Sequence, residues 1–490
     1  MKPLEKIAVI DVGSNSCRMV IYERAGSALI PYFNEKSMAG LGRKMPETGR
    51  LNPEGVDKAL DTFRRFRAIL DGLDIQDTYA VATAAVREAK DREAFIEQAE
   101  KVLAMSLRVL SGAEEGYLSA LGVKAGFRRA KGIVGDLGGT SLELQNLDGT
   151  ETSENGETFL LGPLARAEDK GLSLSKRRKN IRKILSESNL LASPAKRLFA
   201  VGGAWRNVAS VHMDLTDYPL GVAHAYELDR TAIATVIEAA EGAEKHSGLR
   251  RRVQAVAKRR YDTLLHAALV LDVLVELAGT ESVSISAFGL REGVVSDAEA
   301  LKADAGLHDT AELYFKFSTA SSAFGRRLYQ FLKPVIATLS LDTPVLEAAC
   351  LMADAGARLH ADHRCQLLFE QVLRAPLPGL SHEERLFVAY AVATRYSFKF
   401  EMPRSVRKLI SLKRADEARI LGTAMRLGGV YSGRTADVLD GVRLECTKKA
   451  LRLHVQKDNE DMVSGPVKRR LEQLASLMDL EPSWSLVEKL

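Results

Sequence analysis

Short, nearly unbroken apolar runs ending in Asp-Gly turns alternate with amphipathic stretches over the first three hundred residues, a pattern of buried strands interleaved with helices. IAVI (7–10) and MVIY (19–22) flank a polar turn and read as adjacent strands. After Asn52-Pro53 the period lengthens to that of a helix, with Val56, Leu60, Phe63, Phe66 and Leu70 on one face and Asn52 placed as its cap. IQDTYAVATAAV (75–86) then reads as a strand entering a helix. From Lys131 a second strand–loop–strand unit opens, so the grammar restarts about 125 residues after it began. It continues through the strand-like LFAVGGAWRNVA (198–209) and a long apolar helix from Leu264, and ends near SVSISAFGLREGVV. Beyond about residue 305 helical periodicity with frequent Lys and Arg takes over, and the remaining residues read as all-helical, with Pro376, Pro378, Gly379 and Pro466 marking turns. The pattern predicts a duplicated, two-lobed α/β core (lobe I 1–128, lobe II 129–305) and a helical region over 306–490.

Chemistry concentrates in the turns that open each half. The first is IAVIDVGSNSCRMVIYE, with Asp11, Gly13, Ser14, Asn15 and Arg18; the second is GIVGDLGGTSLELQN, with Asp136, Gly138, Gly139, Thr140, Ser141 and Glu143. A tight turn between two strands directs backbone N–H groups inward and forms a cradle for phosphate oxygens. Glycine admits the anion without a Cβ in the way, and Ser and Thr hydroxyls add hydrogen bonds. Aspartate does not attract phosphate; at a strand end it suits a Mg²⁺ ligand or an orienter of water. One such loop is equally an ordinary hairpin turn. Two in the same frame, one per half, point to a phosphate held in a cleft.

DVGSNSCR followed by DLGGTSLE resembles the two phosphate motifs of the actin, Hsp70 and sugar-kinase superfamily. Within it the wording resembles the exopolyphosphatase/guanosine pentaphosphate phosphatase family, as do VATAAVREAKDREAF around Arg87, LSGAEEGYLSALGV around Glu115, and AFGLREGVV (287–295). Five ordered motifs span about 285 residues, and GLREG is not shared with the kinases. The resemblance implies an actin-like (ribonuclease H-like) two-lobed α/β fold and Mg²⁺-dependent, processive hydrolysis of the terminal phosphate of inorganic polyphosphate. It equally admits the same chemistry on guanosine pentaphosphate (pppGpp), and it implies a homodimer. A regulator that binds ppGpp or polyphosphate in a dead cleft is the alternative of another class, disfavoured by intact Glu115, Asp136 and Glu143. A sugar or acetate kinase is disfavoured by the glutamate motif and GLREG.

Local physics separates the adjacent glutamates of LSGAEEG. Ser111 with Glu114 three residues on is a capping box, which gives Glu114 a structural task and leaves Glu115 free at the first helical turn to orient or deprotonate water. The resemblance likewise makes Glu115 catalytic. Glu143 faces away from Leu142 and Leu144 on its strand and locally fits a solvent-facing residue as well; the resemblance makes it a second active-site carboxylate, holding water or, with Asp11 and Asp136, Mg²⁺. Arg18 and Arg87 offer planar forks for phosphate oxygens, and their motif positions set them apart from surface arginines. Two departures stand out: Thr140 replaces a third glycine usual in the family, and Asp91 stands where Asn is common. GGAWRNVAS (202–210) occupies the place of the superfamily's adenosine pocket, which Trp205 and Arg206 are expected to crowd, disfavouring ATP.

Net charge is +5 with 27% charged residues, a mild basic excess that suits an anionic ligand without implying one. KRRKNIRK (176–183), LRRRV (249–253) and KRR (258–260) fit solvated helical faces or part of a track for a polyanion; with no aromatic platform beside them, nucleic acid is not indicated. Four scattered cysteines without CxxC spacing read as reduced thiols of a cytoplasmic protein. Lys2 and Lys6 precede an apolar run too short for a signal sequence, and the helix from Leu264 carries His266, Asp272 and Glu276, so no membrane span is indicated. In long family members the helical region resembles HD-type metal phosphohydrolases. Here Ala353 precedes Asp354 in ACLMADAGARLH (349–360) and Asp362-His363 is reversed, so a degenerate HD-like region without a second metal centre is expected.

Overall fold

A computed structural model describes residues 4–148, 155–301, 306–316 and 322–489. The chain forms two compact units, residues 1–306 and 307–490.

The first unit is built on two sheets with matching grammar. Strands β1 (Glu5–Val12), β2 (Cys17–Ala25), β3 (Ala28–Ser37), β4 (Thr78–Ala82) and β5 (Arg108–Val109) form a sheet in the order β3-β2-β1-β4-β5. β1, β2 and β3 are an antiparallel meander, and β4 and β5 add in parallel. The second sheet repeats this: β6 (Ile133–Leu137), β7 (Leu142–Asn146) and β8 (Glu157–Phe159) are the meander, followed by β9 (Leu198–Val201), β10 (Tyr226–Asp229) and β11 (Ser282–Ile285), in the order β10-β11-β9-β6-β7-β8. β9 and β11 are parallel additions, and β10 pairs antiparallel at the edge.

β1 is apolar almost throughout because both of its faces are buried. Ala8, Ile10 and Val12 enter one core with Phe63, Phe66 and Phe95, while Ile7 and Val9 enter another with Tyr22, Leu118 and Val295. The helix after Asn52 spans Pro53–Gly72 with proline in its first turn. Asn52 occupies the cap position, but its side chain makes no capping bond and instead reaches the Gly40 carbonyl at 3.4 Å. The 198–209 segment is strand only to Val201. Gly202, at φ 109°, breaks it, and Gly203–Leu215 is helix.

Two helices cross tightly in this unit, Gly112–Gly126 and Leu290–Ala298. A Cβ on Gly122 would lie 2.0 Å from the Gly289 carbonyl oxygen, and one on Gly293 would lie 1.7 Å from that of Leu118. Backbone meets backbone here, which seats the GLREG segment directly beside the glutamate helix.

The second unit is predominantly helical, including Thr343–Leu351, Arg364–Arg374, His382–Tyr396, Leu412–Ser432 and Gly465–Leu477. It is not all-helical, as the sequence pattern suggests: β12 (Val442–Cys446), β13 (Ala450–Gln456) and β14 (Glu481–Val487) form a three-stranded sheet. Val442, Leu444, Leu451, Leu453 and Val455 supply its buried face at a period of two.

Candidate active site

The β1–β2 and β6–β7 turns are built alike. Gly13 N–H donates to the Ser16 carbonyl at 3.0 Å, and Gly138 N–H donates to the Ser141 carbonyl at 2.9 Å. In both, the strand register pairs an acid with a second functional side chain: Asp11 lies opposite Arg18, and Asp136 opposite Glu143. The loops touch through Ser14 Oγ and Thr140 Oγ1, 3.2 Å apart and buried. A Cβ on Gly139 would come 3.0 Å from that of Ser14. Thr140, the departure from the glycine run, thus ties the two halves together by its hydroxyl. Flanking segments pin the loops from outside, Gly42 N–H bonding to the Ser14 carbonyl and Gly162 N–H to that of Thr140.

A cleft of about 200 Å³ opens between these loops, lined by Asp11, Gly13, Ser14, Asn15, Arg18, Glu115, Asp136, Gly138, Gly139 and Ser141. Most residues singled out from sequence therefore meet at one place. Thr140, Glu143 and Arg87 stand just behind this lining, and Trp205 does not reach it. Trp205 is fully buried in the second lobe's core, where its indole N–H donates to the Ala267 carbonyl, so it crowds no pocket. Arg206 alone of that pair lines the cleft.

Ser111 and Glu114 form the capping box reciprocally, with Ser111 N–H to Glu114 Oε2 at 2.8 Å and Glu114 N–H to Ser111 Oγ at 3.2 Å. One residue on, Glu115 turns inward and is 6% exposed. Arg87, on the short helix Ala84–Glu88, donates to Glu115 Oε2 at 3.2 Å and to the Leu110 carbonyl at 2.9 Å, with Nη2 4.0 Å from Glu143 Oε1. Arg87 therefore holds two carboxylates rather than standing free for a phosphate. Among the described residues no full hydrogen bond reaches either Glu143 oxygen, although the carboxyl is buried, and the Ser141 side chain and Arg87 only partly offset that burial. Ser119 Oγ donates to Asp136 Oδ2.

Burial and mutual repulsion set the electrostatics of this acid group. Burial, then the charge of Asp136, pushes Glu115 up to about 8, with Arg87 opposing. Burial and Glu115 raise Glu143 well above the carboxylate range, and burial raises Asp136 and Asp11. An all-oxygen donor set with uncompensated buried charge fits Mg²⁺. Among the described residues no three acidic, imidazole or thiol groups converge closely enough to enclose a metal alone. A Mg²⁺ ion here would complete its shell with water and ligand phosphates, as this ion commonly does.

The cleft is also rich in cations, of which sequence reasoning assigned Arg18 to phosphate, placed Arg206 at the pocket and offered KRR (258–260) as part of a polyanion track. Lys36, Arg206, Arg260 and Arg291 also line the cleft. Arg291 Nη1 lies 4.0 Å from Asp11 Oδ2. Its neighbour Glu292 accepts from the Tyr22 hydroxyl at 2.5 Å and from Gly289 N–H at 2.9 Å, which fixes the GLREG turn. Burial, then Arg260, Arg18 and Arg206, pushes Lys36 down to about 8; burial, then Arg291, Arg18 and Arg260, pushes Arg206 down to about 10. Arg260 packs over the first turn of the Gly203–Leu215 helix, where a Cβ on Gly203 would meet its guanidinium at 2.3 Å. Like charges crowded at a helix N-terminus make an anion site. KRR at 258–260 was the signal in the sequence for Arg260, and GLREG for Arg291. The run at 176–183 lies elsewhere: Arg178 and Arg182 pair with Asp272 and Glu276.

Residues 19–302 match the Ppx/GppA phosphatase family and residues 330–483 match the exopolyphosphatase C-terminal domain. Exopolyphosphatase 1 of Mycobacterium leprae is 30% identical over 144 residues, covering 29% of this chain and 42% of that protein. The guanosine-5'-triphosphate,3'-diphosphate pyrophosphatase of Aeromonas hydrophila is 30% identical over 138 residues, 28% of each. The matched stretch thus spans less than half the length of these curated relatives. Among solved structures, the Aquifex aeolicus Ppx/GppA family member superposes with a TM-score of 0.53 at 22% identity over 61% of this chain and 98% of that one. A Cytophaga hutchinsonii exopolyphosphatase gives 0.53 at 22% identity over 61% and 100%. With the family match covering more than half of its residues, and the paired phosphate loops and glutamate helix in place, this chain belongs to the Ppx/GppA phosphatase family.

Proposed function

We propose that the cleft hydrolyses the terminal phosphoanhydride of inorganic polyphosphate, releasing orthophosphate. The observation that carries this reading is the convergence on one cleft of the two phosphate-type turns, the acids Asp11, Glu115 and Asp136 with Glu143 behind them, and the cations Arg18, Lys36, Arg206, Arg260 and Arg291. Hydrolysis requires a base for water on one side of the phosphorus and charge neutralisation around the transferred and leaving oxygens on the other.

The terminal phosphate would lie on the N–H groups and hydroxyls of the 13–15 and 138–141 turns. Glu115, held by Arg87, would take the proton of the attacking water; its raised proton affinity matches that task near neutral pH. Burial and the charge of Asp136 keep that affinity high, and Glu143, packed behind Glu115, would assist in orienting the water. Arg18 and Arg291 would offset charge on the transferred group, and Lys36, Arg206 and Arg260 would grip the next phosphates of the chain. Mg²⁺, held through Asp11, Asp136 and Glu143, would supply further neutralisation of the phosphate oxygens.

The same geometry suits the 5' terminus of pppGpp, and the likeness to the Aeromonas pyrophosphatase favours keeping that second reading. No aromatic residue lines the cleft among the described residues, so a guanine would find only arginine planes, which favours the inorganic chain. Orthophosphate release from long-chain polyphosphate and from pppGpp, measured in parallel with Mg²⁺, tests the proposal. Faster release from polyphosphate is the expected result. Faster release from pppGpp moves the assignment to the nucleotide, and binding without release from either overturns hydrolysis.

A further inference from the structure

The returning strand of the first phosphate turn carries a hydroxyl into an apolar core. Val20 and Tyr22 stand on one face of β2 and pack with Ile7, Val9, Leu118, Val294 and Val295. Tyr22 is 1% exposed, so its hydroxyl must find a partner inside the protein. That partner is Glu292, 8% exposed, whose Oε1 accepts from the hydroxyl at 2.5 Å while Oε2 accepts from Gly289 N–H at 2.9 Å. Both oxygens of this buried carboxylate are thus engaged.

Its chain neighbour is in the opposite condition. Arg291 lines the cleft, its side chain is 13% exposed, and its ion-pair contact among the described residues is the 4.0 Å approach of Nη1 to Asp11 Oδ2. It makes no hydrogen bond to any described residue, and its Nε is buried without a partner. Burial works against its charge and Glu292 is the charge that supports it most, yet among the described residues the two form no ion pair. The acid is spent on a phenol and a backbone amide, and the guanidinium keeps its donors for a ligand of the cleft. Without the Tyr22 hydroxyl, Glu292 Oε1 would be a buried carboxylate oxygen lacking a donor, and the unpaired guanidinium of the next residue is the strongest donor at hand. A charge-assisted pair formed there would take from Arg291 the N–H groups that a phosphate needs.

We infer that Tyr22 is a positioning residue for phosphate binding: by occupying Glu292 it keeps Arg291 unpaired and available to the terminal phosphate. The inference rests on the reading of the cleft as a phosphoanhydride site in which Arg291 meets the transferred group.

A double-mutant cycle on the full chain tests it, with tripolyphosphate binding read by calorimetry in the presence of chelator. Y22F should weaken binding about fivefold or more, and in an R291Q background the same change should alter it by less than about twofold, because the residue through which Tyr22 acts is gone. In Y22F/E292Q no carboxylate competes for Arg291, so binding should return to within about twofold of the wild type. That variant also serves if Y22F alone does not fold, since it removes the orphaned acid. With Mg²⁺ and polyphosphate, kcat/KM should show the same non-additivity between Y22F and R291Q. Equal losses in both backgrounds, unchanged binding in Y22F, no recovery in folded Y22F/E292Q, or no binding by the wild type overturns the inference. A wild type that binds tripolyphosphate but releases no orthophosphate from polyphosphate or pppGpp refutes hydrolysis alone, and the binding cycle still decides the role of Tyr22.

Discussion

Glu115→Gln keeps the shape of the side chain and removes its charge, so it separates what the carboxylate does for catalysis from what it does to the fold. Glu115 ordinarily titrates near 4.5, and burial together with Asp136 pushes it up to about 8. A folded-state value above the unfolded one means that the folded protein binds a proton the unfolded chain has released. The associated stability is complete below about 4.5 and is lost as pH rises through about 8. Between pH 7 and pH 9 the wild type should lose about 1–2 kcal/mol on this account, and the Glu115→Gln variant, whose amide is neutral throughout, should lose none of it. With chelator present, the stability difference between variant and wild type should therefore grow by about 1–2 kcal/mol over that range, a few degrees in Tm. Trp205 sits in the core of the first unit and, with Trp484 replaced by Phe, reports that unit's unfolding by fluorescence. The same variant should lose roughly 10²–10⁴-fold in turnover. A variant-minus-wild-type difference that stays level from pH 7 to pH 9 would refute the assigned electrostatics.

Gly122→Ala places a Cβ where the Gly289 backbone already is, and should cost at least about 2 kcal/mol, read from the urea midpoint of the first unit. Thr140→Val removes the bond between the phosphate loops and should cost about 1 kcal/mol by the same measurement. Arg206→Gln should raise KM for polyphosphate roughly tenfold or more, lower kcat less, and make KM less sensitive to salt. Lys36, pushed down to about 8, is a cation only below that pH, so KM should climb as pH rises through 8. In Lys36→Arg that climb should disappear.

The parts of the fold written in local pattern were legible. The runs around Asp11 and Asp136 read as strand–turn–strand because buried meander strands are apolar on both faces, and the capping box at Ser111 and Glu114 is a rule of adjacent residues. What depends on distant partners was not. Asn52 holds a cap position, yet its amide serves the Gly40 carbonyl. Trp205 looked like a pocket residue by position, whereas the helix that begins at Gly203 turns it into the core. β12 and β13 alternate buried and open positions but are only five and seven residues long, so their period of two was hidden in a helical background. Within the cleft, the turn residues announced themselves by type. Arg260 and Arg291 were less plain, because a KRR run or an arginine within a motif suits a solvated surface equally until the Gly122–Gly289 crossing and the Gly203 helix bring it inward.

In the proposed reaction, water deprotonated by Glu115 attacks the terminal phosphorus. A single turnover of polyphosphate in ¹⁸O-labelled water with Mg²⁺, comparing wild type and Glu115→Gln, reads that step directly. One ¹⁸O should enter each orthophosphate released by the wild type, with release at least about 100-fold slower in the variant. Unlabelled orthophosphate, or equal rates in the two proteins, would contradict it.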